Sequence, residues 1–375
     1  MAAALISWRG CQSSRYPNAL VYELTALKAP IEVGPAQDSC FKRRGKEESM
    51  TRICLAVWLF LSLAWGQATA DPTVKDLAGR TEIHPIETVT LSIRQFLTGD
   101  KNGKPFTIAG HLRFPQDVTT RMPVVLVQHG SGGSNARDEY WAKTFNEMGI
   151  ASFLVDSFSG RGLSSTTTNV ADLTPHNMML DAYRAFDVLA KHPRIDPIRI
   201  GVMGFSLGGI SALYSSLKRF QQMWNPRARY AVHIPFYPTC HLTFIDDTDV
   251  TAPIRQFHGA ADDFTPVGPC RTYFDRLRAA GRDAVLTEYP GAYHSFDNPL
   301  GSKTPRLSKG AQSFRACKLK EEPLGTIIHV ESGEPFRRDD PCMQRDAHTG
   351  YNEAGAIAVR VAVKELIRSV FKLGA

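Results

Sequence analysis

At 375 residues, 43% of them hydrophobic, 10% aromatic and 22% charged, with 29 Gly and 23 Pro, the chain has a globular composition. That excludes disordered, collagen-like and coiled-coil classes. At roughly 100–200 residues per domain the length allows one large domain or two ordinary ones. The formal net charge of +7 is dispersed: residues 1–70 hold 8 Lys/Arg and 5 Asp/Glu, which leaves +4 for residues 71–375. The one dense basic run, Lys42-Arg43-Arg44-Gly45-Lys46, lies near the N-terminus. Nucleic acid is therefore not an expected partner, because such binding calls for charge clustered on one face.

The most apolar stretch is Ile53–Trp65. Thirteen residues fall short of the roughly 20 a membrane-spanning helix needs, but suit the hydrophobic region of a signal peptide. Arg52 precedes it, and Ala68-Thr69-Ala70 after it matches the small-residue cleavage pattern. The reading is that Met50 starts the translated protein, residues 50–70 form a signal peptide, and residues 1–49 are an upstream extension absent from the mature protein. Cleavage leaves Asp71 first, no stable membrane span, and a periplasmic or secreted location. Four of seven cysteines fall in residues 71–375: Cys240, Cys270, Cys317 and Cys342. An even number in an exported chain suggests two disulfides, with three possible connectivities.

In chain order, Glu87–Ile93 alternates with period two, and Phe106–Leu112 follows a Gly/Asn/Asp-rich connector, the pattern of a hairpin. Pro123–Gln128 is continuously apolar, as a strand buried on both faces should be. The Gly-rich His129–Gly133 and a helix to about Met148 come next, then a strand over Ile150–Val155. An amphipathic helix includes Asp181–Leu189. A buried strand, Ile198–Met203, runs into Gly204-Phe205-Ser206-Leu207-Gly208-Gly209 and a helix through about Lys218. Strands at Tyr230–Ile234, Pro253–Phe257 and Ala284–Glu288, with a helix around Arg271–Ala280, complete the series. Strands alternating with helices predict an α/β fold, a mainly parallel central sheet with helices on both faces. Residues 296–350 break the rhythm with a polar, Cys-containing insertion before a helix over Glu353–Phe371. Residues 71–375 thus read as one domain with a late insertion. Cys317–Cys342 is the favoured pair within that insertion, and Cys240–Cys270 joins successive loops of the sheet.

Gly204-Phe205-Ser206-Leu207-Gly208 matches G-x-S-x-G between a buried strand and a helix, the context a nucleophile turn requires. A serine hydroxyl needs a base and a group to orient that base. Downstream, in the order Ser, Asp, His, stand Asp262 and His294, each just after a strand, at the sheet edge where open parallel sheets place ligands. Asp263 is the alternative acid, and His258 is expected to pack structurally. Oxyanion donors are expected from the amides of Leu207 and Ser131, with Gly132 as alternate for the second. The chain has no G-K-[ST] after a Gly-rich loop and no H-E-x-x-H, EF-hand or C-x-x-C pattern. No metal or other cofactor is expected.

These motifs resemble the dienelactone-hydrolase-like branch of the α/β-hydrolases, over roughly residues 85–295 plus the last helix. The resemblance rests on H-G-S-G-G at 129–133, D-S-F-S-G-R-G at 156–162, G-F-S-L-G-G at 204–209, G-A-A-D-D-F-T-P at 259–266 and Y-H-S-F at 293–296. It favours Asp262, since the family's G-x-x-D-x-x-x-P falls on Gly259, Asp262 and Pro266. The founding enzymes use a cysteine on cyclic dienelactones, whereas Ser206 stands here. The resemblance therefore implies an α/β-hydrolase fold and a serine esterase acting on a small-molecule ester. By analogy with arginines that serve this role in the family, Arg161 is a candidate contact for a substrate carboxylate. Phe158, Phe205, Phe236, Phe264 and Tyr293, all near site motifs, suggest a partly apolar pocket. Rival functions on the same residues are a serine peptidase, an acyltransferase, or a catalytically silent binding protein.

Overall fold

The computed structural model describes residues 80–115, 120–337 and 339–374. The proposed upstream extension and signal peptide lie outside the described residues. An eight-stranded sheet takes the order β1-β2-β4-β3-β5-β6-β8-β9. Its strands are β1 (Thr81–Thr90), β2 (Lys104–Arg113), β3 (Met122–Gln128), β4 (Ala151–Asp156), β5 (Ile195–Phe205), β6 (Val232–Phe236), β8 (Ile254–Gly259) and β9 (Ala284–Tyr289). β1 pairs antiparallel with β2, and β2 antiparallel with β4. From β4 to β9 every pairing is parallel.

The continuous apolar run of β3 is explained by its two covered faces. Val124 and Leu126 join one core with residues of the helices α3 (Pro175–Lys191), α4 (Leu207–Tyr214), α5 (Lys218–Trp224) and α6 (Gly268–Ala279). Val125 and Val127 join the other, against α2 (Ala136–Glu147) and α7 (Glu353–Val370), where Trp141, Phe145, Val359, Val363 and Ile367 are buried. Burying such side chains contributes roughly 1.5–3 kcal/mol each, so these two layers dominate the stability.

Two predicted boundaries move. The strand expected to reach Ile93 stops at Thr90, because Ser92 caps a short helix, α1 (Ile93–Thr98), through a reciprocal pair of bonds with Gln95. The helix expected to run to Lys218 breaks after Tyr214, and α5 starts at Lys218.

The insertion forms its own small sheets. β10 (Arg306–Ser313) pairs antiparallel with β13 (Gln344–Thr349). β11 (Leu319–Glu322) pairs with β12 (Thr326–His329) and, in parallel, with β7 (Leu242–Thr243) of the main body. Disulfides join Cys240 to Cys270 and Cys317 to Cys342, with Cα–Cα separations of 5.0 and 4.8 Å. The second closes the insertion on itself; the first ties the segment after β6 to the first turn of α6. Among the described residues no helix is long and apolar enough to cross a membrane.

Candidate active site

The end of β5 turns sharply into α4 at Ser206, whose backbone is held at φ 52°, ψ −111°. A non-glycine residue adopts positive φ only where the surroundings over-determine it. Here they do: a Cβ at Gly204 would overlap the carbonyl of Gly208, and one at Gly208 would overlap the carbonyls of Gln128 and His129. Only glycine fits at either position, which explains the two glycines of the motif in steric terms. The Ser206 amide donates to the Phe236 carbonyl at 3.0 Å, fixing the turn to β6.

The loops after β8 and β9 bring the other two predicted residues to this turn. His294 Nε2 lies 2.9 Å from Ser206 Oγ, and its Nδ1 lies 2.8 Å from Asp262 Oδ2. Asp262 Oδ1 accepts from the amides of Phe264 and Thr265 at 2.9 and 2.8 Å. Burial pushes the Asp262 carboxyl up, but the neighbouring His294 and His258 charges and the bonds from His294 and Thr265 outweigh it. The net result is a carboxyl held below its ordinary value, so Asp262 is ionised at neutral pH. An ionised acceptor at Nδ1 selects the imidazole tautomer with a free lone pair on Nε2, facing the serine hydroxyl. This arrangement can accept the serine proton.

Asp263, the alternative acid, faces away: its carboxylate accepts from His348 Nδ1 at 2.7 Å and from the His348 amide at 2.9 Å. His258 is fully buried, with Nε2 2.6 Å from the Thr265 carbonyl and Nδ1 3.0 Å from Gln256 Nε2. It packs beneath the acid loop.

The Gly-rich loop after β3 forms a tight turn, with the Gly133 amide donating to the Gly130 carbonyl at 3.1 Å. Ser131 and Gly132 occupy its centre. An ideal Cβ on Gly130 would lie 3.6 Å from Ser206 Cβ, so this turn abuts the serine. His129 sets its orientation. The Ser157 amide donates to His129 Nε2 at 3.2 Å, which leaves the proton on Nδ1 to donate to the Gly130 carbonyl at 2.7 Å. Burial holds His129 below its ordinary pKa, hence neutral. Leu207 is the first residue of α4, where an amide has no acceptor within the helix. The Leu207 amide therefore borders the serine, and the turn that carries Ser131 abuts it.

Arg161 is a correction. Its side chain is only 2% exposed, and it forms a two-pronged pair with the fully buried Asp181 at 2.7 and 2.8 Å. It also donates to Thr90 Oγ1 and the Ser157 carbonyl. A guanidinium so consumed ties the loop after β4 to α3 and is not available to a substrate carboxylate. The aromatic set also divides. Phe158, Phe205 and Phe236 are core residues, whereas Phe264 stacks on the His294 ring at 4.6 Å.

Sequence reasoning missed Thr265, whose hydroxyl sits 3.0 Å from Asp262 Oδ2 and 3.1 Å from His294 Nδ1. It also missed Tyr237, edge-on to His294 at 4.7 Å. Tyr237 donates to Asp297 Oδ1 at 2.7 Å and accepts from Arg137 at 3.2 Å. Arg137 in turn pairs with Asp138 and lies over the Phe205 ring, a buried polar network behind the serine turn. Thr265 follows Asp262 at the i+3 spacing of a side-chain-capped turn, a local signal that was legible; Tyr237 and Arg137 carried none.

Among the described residues two clusters have metal-like composition, and neither fits a metal. In Glu82, His84 and His192, the Arg194 amide donates to His192 Nδ1, so Nε2 carries the proton and donates to Glu82. In the other, Cys342 is committed to its disulfide.

Comparison with known proteins agrees with this fold. A dienelactone hydrolase-like promiscuous phosphotriesterase, P91, from metagenomic libraries is 16% identical with a TM-score of 0.50, over 78% of this chain and 100% of that one. A solved structure designated m3DLH is 18% identical with a TM-score of 0.51 over the same shares. Both show the α/β-hydrolase fold. An uncharacterized protein of Caenorhabditis elegans, K02A2.1, is 28% identical over 117 residues, 31% of this chain and 70% of that protein. The model of the dienelactone hydrolase family matches residues 108–320, from within β2 to within the insertion. With more than half of its length matched, this chain belongs to the dienelactone hydrolase family and is a hydrolase.

Proposed function

We propose that the protein is an exported serine hydrolase that cleaves a carboxylic ester of a small, partly apolar substrate through an acyl-enzyme. The observation that carries this reading is the continuous chain Ser206 Oγ, His294 Nε2, His294 Nδ1, Asp262 Oδ2, with links of 2.9 and 2.8 Å. Ser206 attacks the ester carbonyl while His294 takes its proton. The developing oxyanion faces the amides of Leu207 and Ser131. Collapse of the tetrahedral species breaks the bond to the alcohol, which leaves with the proton from His294. Water then attacks the acyl-serine, losing its proton to His294, and the acid is released as Ser206 regains a proton. Asp262 stays ionised throughout and stabilises the imidazolium.

Export is supported by the two disulfides, which persist in oxidising compartments, and by the hydrophobic run and Ala68-Thr69-Ala70 ahead of Asp71. On this reading the mature protein is a single domain over residues 71–375, its Cys-containing insertion included. The test is fluorophosphonate labelling of that mature chain, with the adduct located by mass spectrometry. One adduct at Ser206, lost in Ser206→Ala together with at least about 10³-fold of kcat, is expected. A folded protein without an adduct, or a near-native rate in Ser206→Ala, would refute the proposal.

A further inference from the structure

A cavity of about 450 Å³ lies between the first turn of α3, the helix α4 and the insertion, within the size range of small-molecule sites. Ile210 and Tyr214 of α4 and Met179 of α3 form its inner wall. Its outer wall is the insertion: Phe314, Leu319, Ile327, Phe336 and Met343. The Cys317–Cys342 disulfide clamps two of the segments that carry those residues.

Ser206, Asp262 and His294 do not themselves line the cavity, but its inner wall is joined to the serine turn through Ile210. Ile210 follows one helical turn later, its amide donating to the Ser206 carbonyl at 2.9 Å, which sets the wall about 6 Å along the helix axis from the serine. The loop at its rim also reaches the Gly-rich turn: the Thr166 amide donates to the Ser131 carbonyl at 2.7 Å, and the Val170 amide to Gln312 Oε1 at 3.0 Å.

Its chemistry is selective. No Lys or Arg lines it, and Asp172 is its one acidic residue. Two imidazoles line it as well, His176 and His241, and burial pushes both down to about 3, so neither carries charge at neutral pH. Neither His176 nitrogen has a hydrogen-bond partner. A carboxylate entering here would shed its hydration and meet no cation. An aliphatic chain would gain about fourfold in affinity per buried methylene.

We infer that this cavity is the acyl pocket, that it takes an uncharged apolar acyl chain of the ester, and that the insertion serves as its outer wall. The inference rests on the serine-hydrolase reading above. It also sets this chain apart from an enzyme that reads a substrate carboxylate through an arginine, since Arg161 is spent on Asp181.

The test uses the mature disulfide-bonded protein with p-nitrophenyl acetate, butyrate, hexanoate, octanoate and decanoate, and with the p-nitrophenyl half-ester of adipic acid, which has the hexanoate length and a terminal charge. kcat/KM should rise at least tenfold from acetate to hexanoate and fall at least tenfold from hexanoate to the adipate half-ester. In Met343→Trp, which fills the cavity, the hexanoate-to-acetate ratio should drop at least fivefold. In Phe336→Ala, which enlarges it, the preferred chain should lengthen, so the proposal remains testable if either variant fails to fold. A flat chain-length profile, equal rates on the charged half-ester, or an unchanged ratio in a folded variant would overturn it. Dependence on the alcohol length of alkyl acetates, without dependence on acyl length, would overturn the acyl assignment. Failure of the hydrolase reading has a different signature: no ester is cleaved and Ser206 takes no fluorophosphonate, and the pocket proposal falls with it.

Discussion

Acidification to pH 5 should destabilise this protein through its buried histidines well before its carboxylates respond. His176 and His233 are 4% and 0% exposed. Burial pushes His176 down to about 3 and His233 down to about 4, the latter despite an Nδ1 bond to the Ala212 carbonyl. In the unfolded chain both regain the ordinary value near 6.5. Between those values the unfolded state binds more protons, so stability is full above about pH 6.5 and declines as pH falls below it. At pH 5, 1.5 units below the unfolded value, each group removes about 2 kcal/mol at 1.36 kcal/mol per unit. Together they remove about 4 kcal/mol, a large share of the 5–15 kcal/mol typical of a folded protein. Carboxylates whose folded pKa is depressed, Asp262 among them, lose their contribution only below about pH 4. The windows therefore separate. The assay is urea unfolding at pH 7.5 and pH 5.0 on the parent and on His176→Phe, a ring replacement flanked by Phe96 and Phe244. The difference between the two pH values should shrink by about 2 kcal/mol in the variant. If variant and parent lose the same amount, His176 is not a neutral, proton-refusing group and the reasoning fails.

Asp262→Asn should lower kcat by about 10⁴-fold with the fold intact, by stranding His294 in the wrong tautomer; steady-state kinetics beside Asp263→Asn, expected within tenfold of the parent, separates the two acids. Replacing Cys317 and Cys342 together by Ser should cost about 3.5 kcal/mol for a loop of 25 residues, read by denaturant unfolding, and an unchanged midpoint would place the insertion's stability elsewhere. Expression of the open reading frame from Met50 in a secreting host should yield a product whose N-terminal sequence begins at Asp71. A product retaining residues 50–70 would refute the cleavage assignment.

The sheet and the serine turn were legible because their signals are local and mutually reinforcing. Val124–Val127 is apolar at every position since both faces are covered, and Gly204 and Gly208 flank Ser206 because nothing larger fits. Asp262 and His294 could be picked out because each follows a strand, and strand ends converge on one edge of a parallel sheet. What escaped depends on partners distant in sequence. Arg161 reads as a free cation until Asp181, twenty residues on, is seen to occupy it. Tyr237 and Arg137 meet across a hundred residues. The strands of the insertion were hidden for another reason: β10 and β13 are polar and largely exposed, so they lack the alternation that marks a strand packed on a core.

The second core is completed only by the last helix to be synthesised. The helices α3 to α6 follow closely the strands they cover, but the face of the sheet bearing Val125, Met203, Val232 and Ile234 waits for Val359, Val363, Ile367 and Phe371. At 5–20 residues per second, the interval between the end of β6 at Phe236 and the end of α7 at Val370 is roughly seven to twenty-seven seconds. Throughout that interval the part of this face that α2 leaves uncovered stays open to chaperones or to aggregation, and the turn carrying Ser206 has α2 but not α7 behind it. A chain interrupted within the insertion would thus hold every residue of the Ser206, Asp262 and His294 set while lacking the layer that keeps them in register.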